Sequence, residues 1–237
     1  VQTCALPILL LSRNNSNDVK LKQILDLTNA LNCNEANILL QNLAKNKYEK
    51  PKIYYAFDFV TNCYRYSGDY VDGFNIAKQW QDTTIFDFKA ASQANSLKNM
   101  LSELKDAPKL EAITKEFSNI VIEKKRFFGL LNSSATINGK TLPIVFDTGA
   151  DFNVISQSFA KELKLKIINS SNKVHGNNKI AQYDYGIAEN LEIGKNEFKD
   201  ALFIIVDDKD LNFNCKKNDT IVNVNIPTII GMPILQA

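Results

Sequence analysis

The chain has 237 residues, 45% hydrophobic and 23% charged, with a formal net charge of +2. That length and apolar content suffice for one large or two small packed domains and exclude wholesale disorder. So small a charge gives no argument for nucleic acid or an anionic membrane surface, and no stretch approaches the ~18 apolar residues of a membrane helix.

Residues 1–8, VQTCALPI, back-translate into the end of a common sequencing adapter, so the chain is expected to begin inside an assembled read and not at the protein's natural start. The tail of a signal peptide is the other reading: residues 5–11 are apolar, but no basic region precedes them and no small-x-small site follows. Localisation is therefore not readable.

Residues 9–118 form the expected helical region. Val19, Leu21, Ile24, Leu25, Leu27, Ala30 and Leu31 recur at three-four spacing, and Ala36, Ile38, Leu39, Leu40 and Leu43 continue after a polar break at 32–34. Pro51 interrupts; Tyr54, Phe57, Val60 and Tyr64 then line one helical face. Ser67-Gly68-Asp69 makes a turn, and Tyr70, Phe74, Ala77 and Trp80 line the next helix. A last helix is expected over about 86–104.

Within 52–81, Phe57, Val60, Tyr64, Tyr70, Gly73 and Ala77 stand where a tetratricopeptide repeat places its packing residues, so this pair resembles that repeat. Thr61 departs from the repeat's usual small residue. A generic helical hairpin is the alternative.

Near residue 118 the period changes from helical to alternating. Residues 120–128 and 130–137 read as strands, Asn138-Gly139 as a two-residue hairpin turn, and 142–146 as the return strand. Further strands are expected at 191–193, 201–206 and 226–230, with a turn at 194–196. Short strands at this spacing predict a β sandwich or barrel. The fold class is thus α+β multidomain, all-α first and all-β after, with the second domain at 119–237. Because the chain stops directly after an apolar run, that domain is expected to be cut short.

Cys4, Cys33, Cys63 and Cys215 form no C-x-x-C pair, and their wide spacing suggests no disulfide framework, so free thiols are expected. The single histidine, His175, lies in the polar run 170–179 and would have to serve any Ser-His-Asp or Cys-His arrangement. No cofactor is called for.

The segment that carries chemistry is Phe146-Asp147-Thr148-Gly149-Ala150-Asp151, between two apolar strands and ahead of a short helix at 157–163. An aspartate in a glycine corner with apolar flanks sits where water is restricted. Far downstream comes Ile229-Ile230-Gly231. Together these resemble the retropepsin-like aspartic peptidase family, closest to bacterial members with a helical N-terminal region, over roughly 125–235.

The resemblance implies an all-β acid-protease barrel. It makes Asp147 the catalytic carboxylate, Thr148 the hydroxyl that braces the partner loop, and Gly149 the point of close approach. Ala150 and Asp151 would lie at the substrate, and Ile229, Ile230 and Gly231 would support the loop from behind. Met232-Pro233 follows that glycine where viral members often have Arg, which puts the usual Arg-to-Asp brace in doubt. A flap is expected at about 174–186, its tip at Gly176, Asn177 and Asn178; a plain surface hairpin is the alternative. Ala150 offers no hydroxyl to a carboxylate oxygen, which implies a pH optimum nearer neutral than in Ser-bearing members.

Carboxylate-driven peptide hydrolysis needs two carboxyl groups sharing one proton. Only one D-[TS]-G occurs, so either a second chain contributes its own Asp147 in a homodimer or the second motif lies in sequence not present. The expected activity is that of an aspartic endopeptidase on peptides or proteins with apolar residues near the cut. The alternatives are a non-enzymatic interaction module with a degenerate peptidase domain, and a metal hydrolase using Asp147, Asp151, Asp207, Asp208 and Asp210. The last cluster reads instead as a solvated turn, and no metal is expected.

Overall fold

The computed structural model describes residues 19–45, 49–81, 88–114, 120, 123–124, 131–171, 173–176, 179–217 and 220–237. The chain divides into two compact units between Lys109 and Leu110.

The first unit holds five helices among the described residues: α1 (Val19–Asn29), α2 (Cys33–Lys45), α3 (Lys50–Tyr66), α4 (Tyr70–Gln81) and α5 (Phe88–Leu104). Their apolar faces supply the core, with Ile24, Ala36, Leu40, Ala56, Val60, Ala77, Leu101 and Leu104 fully buried. Pro51 does not break a helix but opens α3, in the first turn, where a missing N–H costs nothing. Gly68 ends that helix hairpin at φ +75°, a left-handed turn position. Gly73 explains how closely α3 and α4 approach: a Cβ there would lie 2.9 Å from the Tyr64 Cβ. Thr61 is buried without cost because its hydroxyl donates to the Phe57 carbonyl at 2.8 Å.

The expectation of four free thiols is overturned for two of them. Cys33, at the start of α2, and Cys63, in α3, are bridged, with Cα atoms 5.6 Å apart. Packing α2 against α3 brings the two together, and sequence spacing carries no trace of that contact. Cys4 lies outside the described residues.

The second unit is built of strands: β1 (Glu111–Thr114), β2 (Glu123–Lys124), β3 (Leu131–Ile137), β4 (Lys140–Phe146) and β5 (Asn153–Ser156). Helix α6 (Gln157–Glu162) follows, then β6 (Lys166–Ile168), β7 (Lys173–Gly176), β8 (Lys179–Gln182), β9 (Asp184–Ile193), β10 (Asn196–Val206), β11 (Asn212–Lys217), β12 (Thr220–Asn225), β13 (Thr228–Ile230) and α7 (Met232–Gln236). The strand at 111–114 already belongs to this unit, ahead of the residue-118 change of period.

Strands β10, β5, β13, β4, β3 and β9 pair in that order, and β9 pairs again with β10, so six strands close on themselves. Closure leaves a small barrel whose interior is filled by side chains. Ile137, Leu191, Phe203, Ile155 and Ile230 are fully buried there, with Ile144 next to them. The β3–β4 turn is the expected one: Asn138 (φ +47°) and Gly139 (φ +81°) are both left-handed, which the twist of a two-residue hairpin demands. Asn138 also ties the turn down, donating to the Leu163 carbonyl at 2.9 Å and accepting from the Asn190 N–H at 3.1 Å.

Two hairpins stand outside the barrel sheet: β7–β8 and β11–β12. The second was not legible as strands, because Asn212, Asn214, Asn223 and Asn225 dilute the apolar alternation.

Candidate active site

The site is assembled by the crossing of two distant segments. β4 carries the chain through Ile144, Val145 and Phe146 into the corner at Asp147. β13 lies beside β4 in parallel, Ile229 opposite Val145 and Ile230 opposite Phe146. On its other side β13 pairs antiparallel with β5, Thr228 opposite Ile155 and Ile229 opposite Val154. The Ile-Ile-Gly segment therefore runs between the strand that enters the aspartate corner and the strand that leaves it.

The corner is held by backbone hydrogen bonds. The Asp147 N–H donates to the Ile230 carbonyl at 3.0 Å, and the Ala150 N–H closes a tight turn onto the Asp147 carbonyl at 3.1 Å. The Met232 N–H donates to the Ala150 carbonyl at 2.9 Å. Inside the turn the Gly149 N–H donates to Asp147 Oδ1 at 2.8 Å, which orients the carboxyl group. Asp147 is half-buried, while Thr148, Gly149 and Asp151 are exposed and Ala150 lies between.

Gly231 is required by space. A Cβ there would lie 2.4 Å from the Phe152 carbonyl oxygen and 2.6 Å from that of Ala150. Only a residue without a side chain lets the supporting strand pass this close behind the corner.

Asp147, Thr148, Gly149, Ala150 and Asp151 are thus brought together with Ile229, Ile230 and Gly231. Of the expected flap, Gly176 ends β7 opposite Lys179 on β8, while Asn177 and Asn178 lie outside the described residues. The acidic run at 207–210 serves other ends. Asp208 Oδ1 accepts the Ser158 N–H at 3.0 Å, at the first turn of α6, and Lys209 pairs with Asp207 at 2.6 Å. The Ser158 backbone bond holds the Asp208 carboxyl below the usual aspartate range. Among the described residues no three His, Cys, Asp or Glu side chains converge as metal ligands do.

One residue went unread in the sequence. Asn153, the first of β5, is wholly buried; its Oδ1 accepts the Gly231 N–H at 3.0 Å and its Nδ2 donates to the Leu202 carbonyl at 2.8 Å. The available signal was a polar residue set between the apolar Phe152 and Val154.

Residues 133–234 match the aspartyl protease family model. Among solved structures the chain is similar to a retropepsin-like aspartic protease from Rickettsia conorii, at 20% identity and TM-score 0.36, over 50% of this chain and 87% of that one. It is also similar to the EIAV protease complexed with the inhibitor HBY-793, at 17% identity and TM-score 0.33, over 52% of this chain and 92% of that one. No curated protein matches the chain by sequence. Over residues 133–234 the β unit resembles the retropepsin-like aspartyl protease family.

Proposed function

We propose that the chain is an aspartic endopeptidase whose site is completed by a second copy, each contributing one Asp147. The observation that carries this reading is the Asp147 corner itself. Its carboxyl is oriented by the Gly149 N–H, and its backbone is held by Ile230 from a strand threaded between β4 and β5. In the reaction, one ionised carboxylate takes a proton from water as that water attacks the peptide carbonyl. The other carboxyl, protonated, donates a hydrogen bond to the carbonyl oxygen. Two carboxylates ~3 Å apart do not both ionise, so the pair shares one proton.

The exposure of Thr148 and Gly149 supports a partner at this face, since a brace between two corners needs the hydroxyl free to reach across. Ala150 and Asp151, next along the chain, are suited to contact the substrate backbone. The β7–β8 hairpin, with Gly176 at its end, is read as the flap. The helical unit, with its tetratricopeptide-like middle hairpin, is read as a module that recruits the protein substrate.

The test is cleavage of a mixed peptide library by the wild type and by Asp147→Asn, with and without a statine-type inhibitor, alongside sedimentation. Cleavage abolished by Asp147→Asn and by the inhibitor, from a species of twice the chain mass, is the expected result. Equal cleavage by both proteins removes the peptidase reading and leaves a binding module on a degenerate barrel.

A further inference from the structure

We propose that Asn153 is a positioning residue that sets the orientation of the catalytic carboxylate through the peptide group joining Ile230 to Gly231. The inference rests on the reading of Asp147 as catalytic. That peptide group faces both ways: its carbonyl accepts the Asp147 N–H at 3.0 Å, and its N–H donates to Asn153 Oδ1 at 3.0 Å. Rotation of the peptide plane breaks both bonds at once. Asn153 is itself fixed, because its Nδ2 donates to the Leu202 carbonyl at 2.8 Å on β10 and its side chain is wholly buried. The line of contact runs from the barrel wall at Leu202, through the Asn153 amide, through one peptide group, to the backbone of Asp147.

Two features make this more than packing. An amide carries its acceptor and its donor on separate atoms of one short stem, so it can hold two partners on different strands, and both are used here. A buried N–H that donates also polarises the carbonyl of its own peptide group, strengthening the hold on Asp147. Without the Asn153 side chain, the Gly231 N–H loses its acceptor and the Leu202 carbonyl loses this donor. The cheapest relief is a tilt of the peptide plane, which carries the aspartate corner with it. Two carboxylates that share a proton across a dimer axis tolerate little such tilt.

The experiment compares wild type, Asn153→Ala and Ile137→Ala. Ile137 is a fully buried core residue at the Asn138 end of the barrel, so its truncation destabilises without touching the corner. Active sites are counted by titration with a statine-type inhibitor, and kcat is expressed per titrated site. Expected is a per-site kcat about tenfold lower in Asn153→Ala, with KM within about twofold of wild type, while Ile137→Ala keeps its per-site kcat. Should Asn153→Ala not fold, Asn153→Ser, which keeps a single hydroxyl in the same space, is read the same way. Asn153 and Ile137 variants with equal per-site kcat, in a wild type that cleaves, overturn the role of Asn153 alone. A wild type that cleaves nothing, or an Asp147→Asn protein that cleaves as well, removes the peptidase reading and this role with it.

Discussion

The N–H of Asp147 and the carbonyl of Ile230 meet at 3.0 Å, joining the corner after β4 to the end of β13. The hydrogen bond depends on Gly231, which lets the next peptide pass under the carbonyls of Phe152 and Ala150. Everything proposed about the carboxylate follows from that close passage.

Gly231→Ala is accordingly the most damaging small substitution in the barrel. Its Cβ meets fixed backbone rather than a movable side chain, so a cost of about 3 kcal/mol or more is expected. Thermal unfolding should show the β unit melting ~10 °C or more below wild type, or failing to fold. A variant that melts within a degree or two of wild type would mean the strand does not pass behind the corner.

The Cys33–Cys63 bridge closes a loop of separation 30 in the helical unit, worth roughly 3–4 kcal/mol by restricting the unfolded chain. Cys63→Ser should lower the melting temperature of that unit in non-reducing buffer and leave it unchanged in strong reductant. Thiol titration of the unfolded, unreduced protein should find the two sulfurs silent. Reactive thiols at both positions would restore the first expectation.

Asp208 gives a pH-dependent contribution with a definite sign. The Ser158 N–H lowers the folded-state value of its carboxyl, against a smaller opposing effect of desolvation. A lowered folded value means stability present above the ordinary aspartate range and lost as pH falls through the folded value. Asp208→Ala should melt a few degrees below wild type at neutral pH, and the two should converge only below about pH 4. A gap that stays constant into acid would remove the charge from the explanation.

Ala150 lies in the turn, its N–H on the Asp147 carbonyl. A hydroxyl here can hydrogen-bond a carboxylate oxygen of the pair and favour the ionised form. Ala150→Ser should therefore move the acid limb of the pH-rate profile to lower pH. A limb that stays in place or moves toward neutral would count against the carboxylate mechanism at this corner.

Much was legible because it is local. Helical periodicity over 19–104, Asn138-Gly139 with its two positive φ angles, and the apolar strand leading into Asp147-Thr148-Gly149 each depend on neighbours a few residues away. Pro51 marks a boundary on the same local ground: it stands in the first turn of the helix that carries Tyr54, Phe57, Val60 and Tyr64.

What the tertiary structure alone decided lies in contacts between residues far apart in sequence. Asn153 meets Leu202 at a separation of 49 and Gly231 at 78, and Cys33 meets Cys63 at 30. A residue's type announces that it can bond, but the partner is chosen by how strands and helices pack, which the pattern of a single segment does not encode. The sequence determined that a carboxylate would stand at a glycine corner; strand pairing decided which peptide group holds it there, because β13 comes in from far along the chain to lie between β4 and β5.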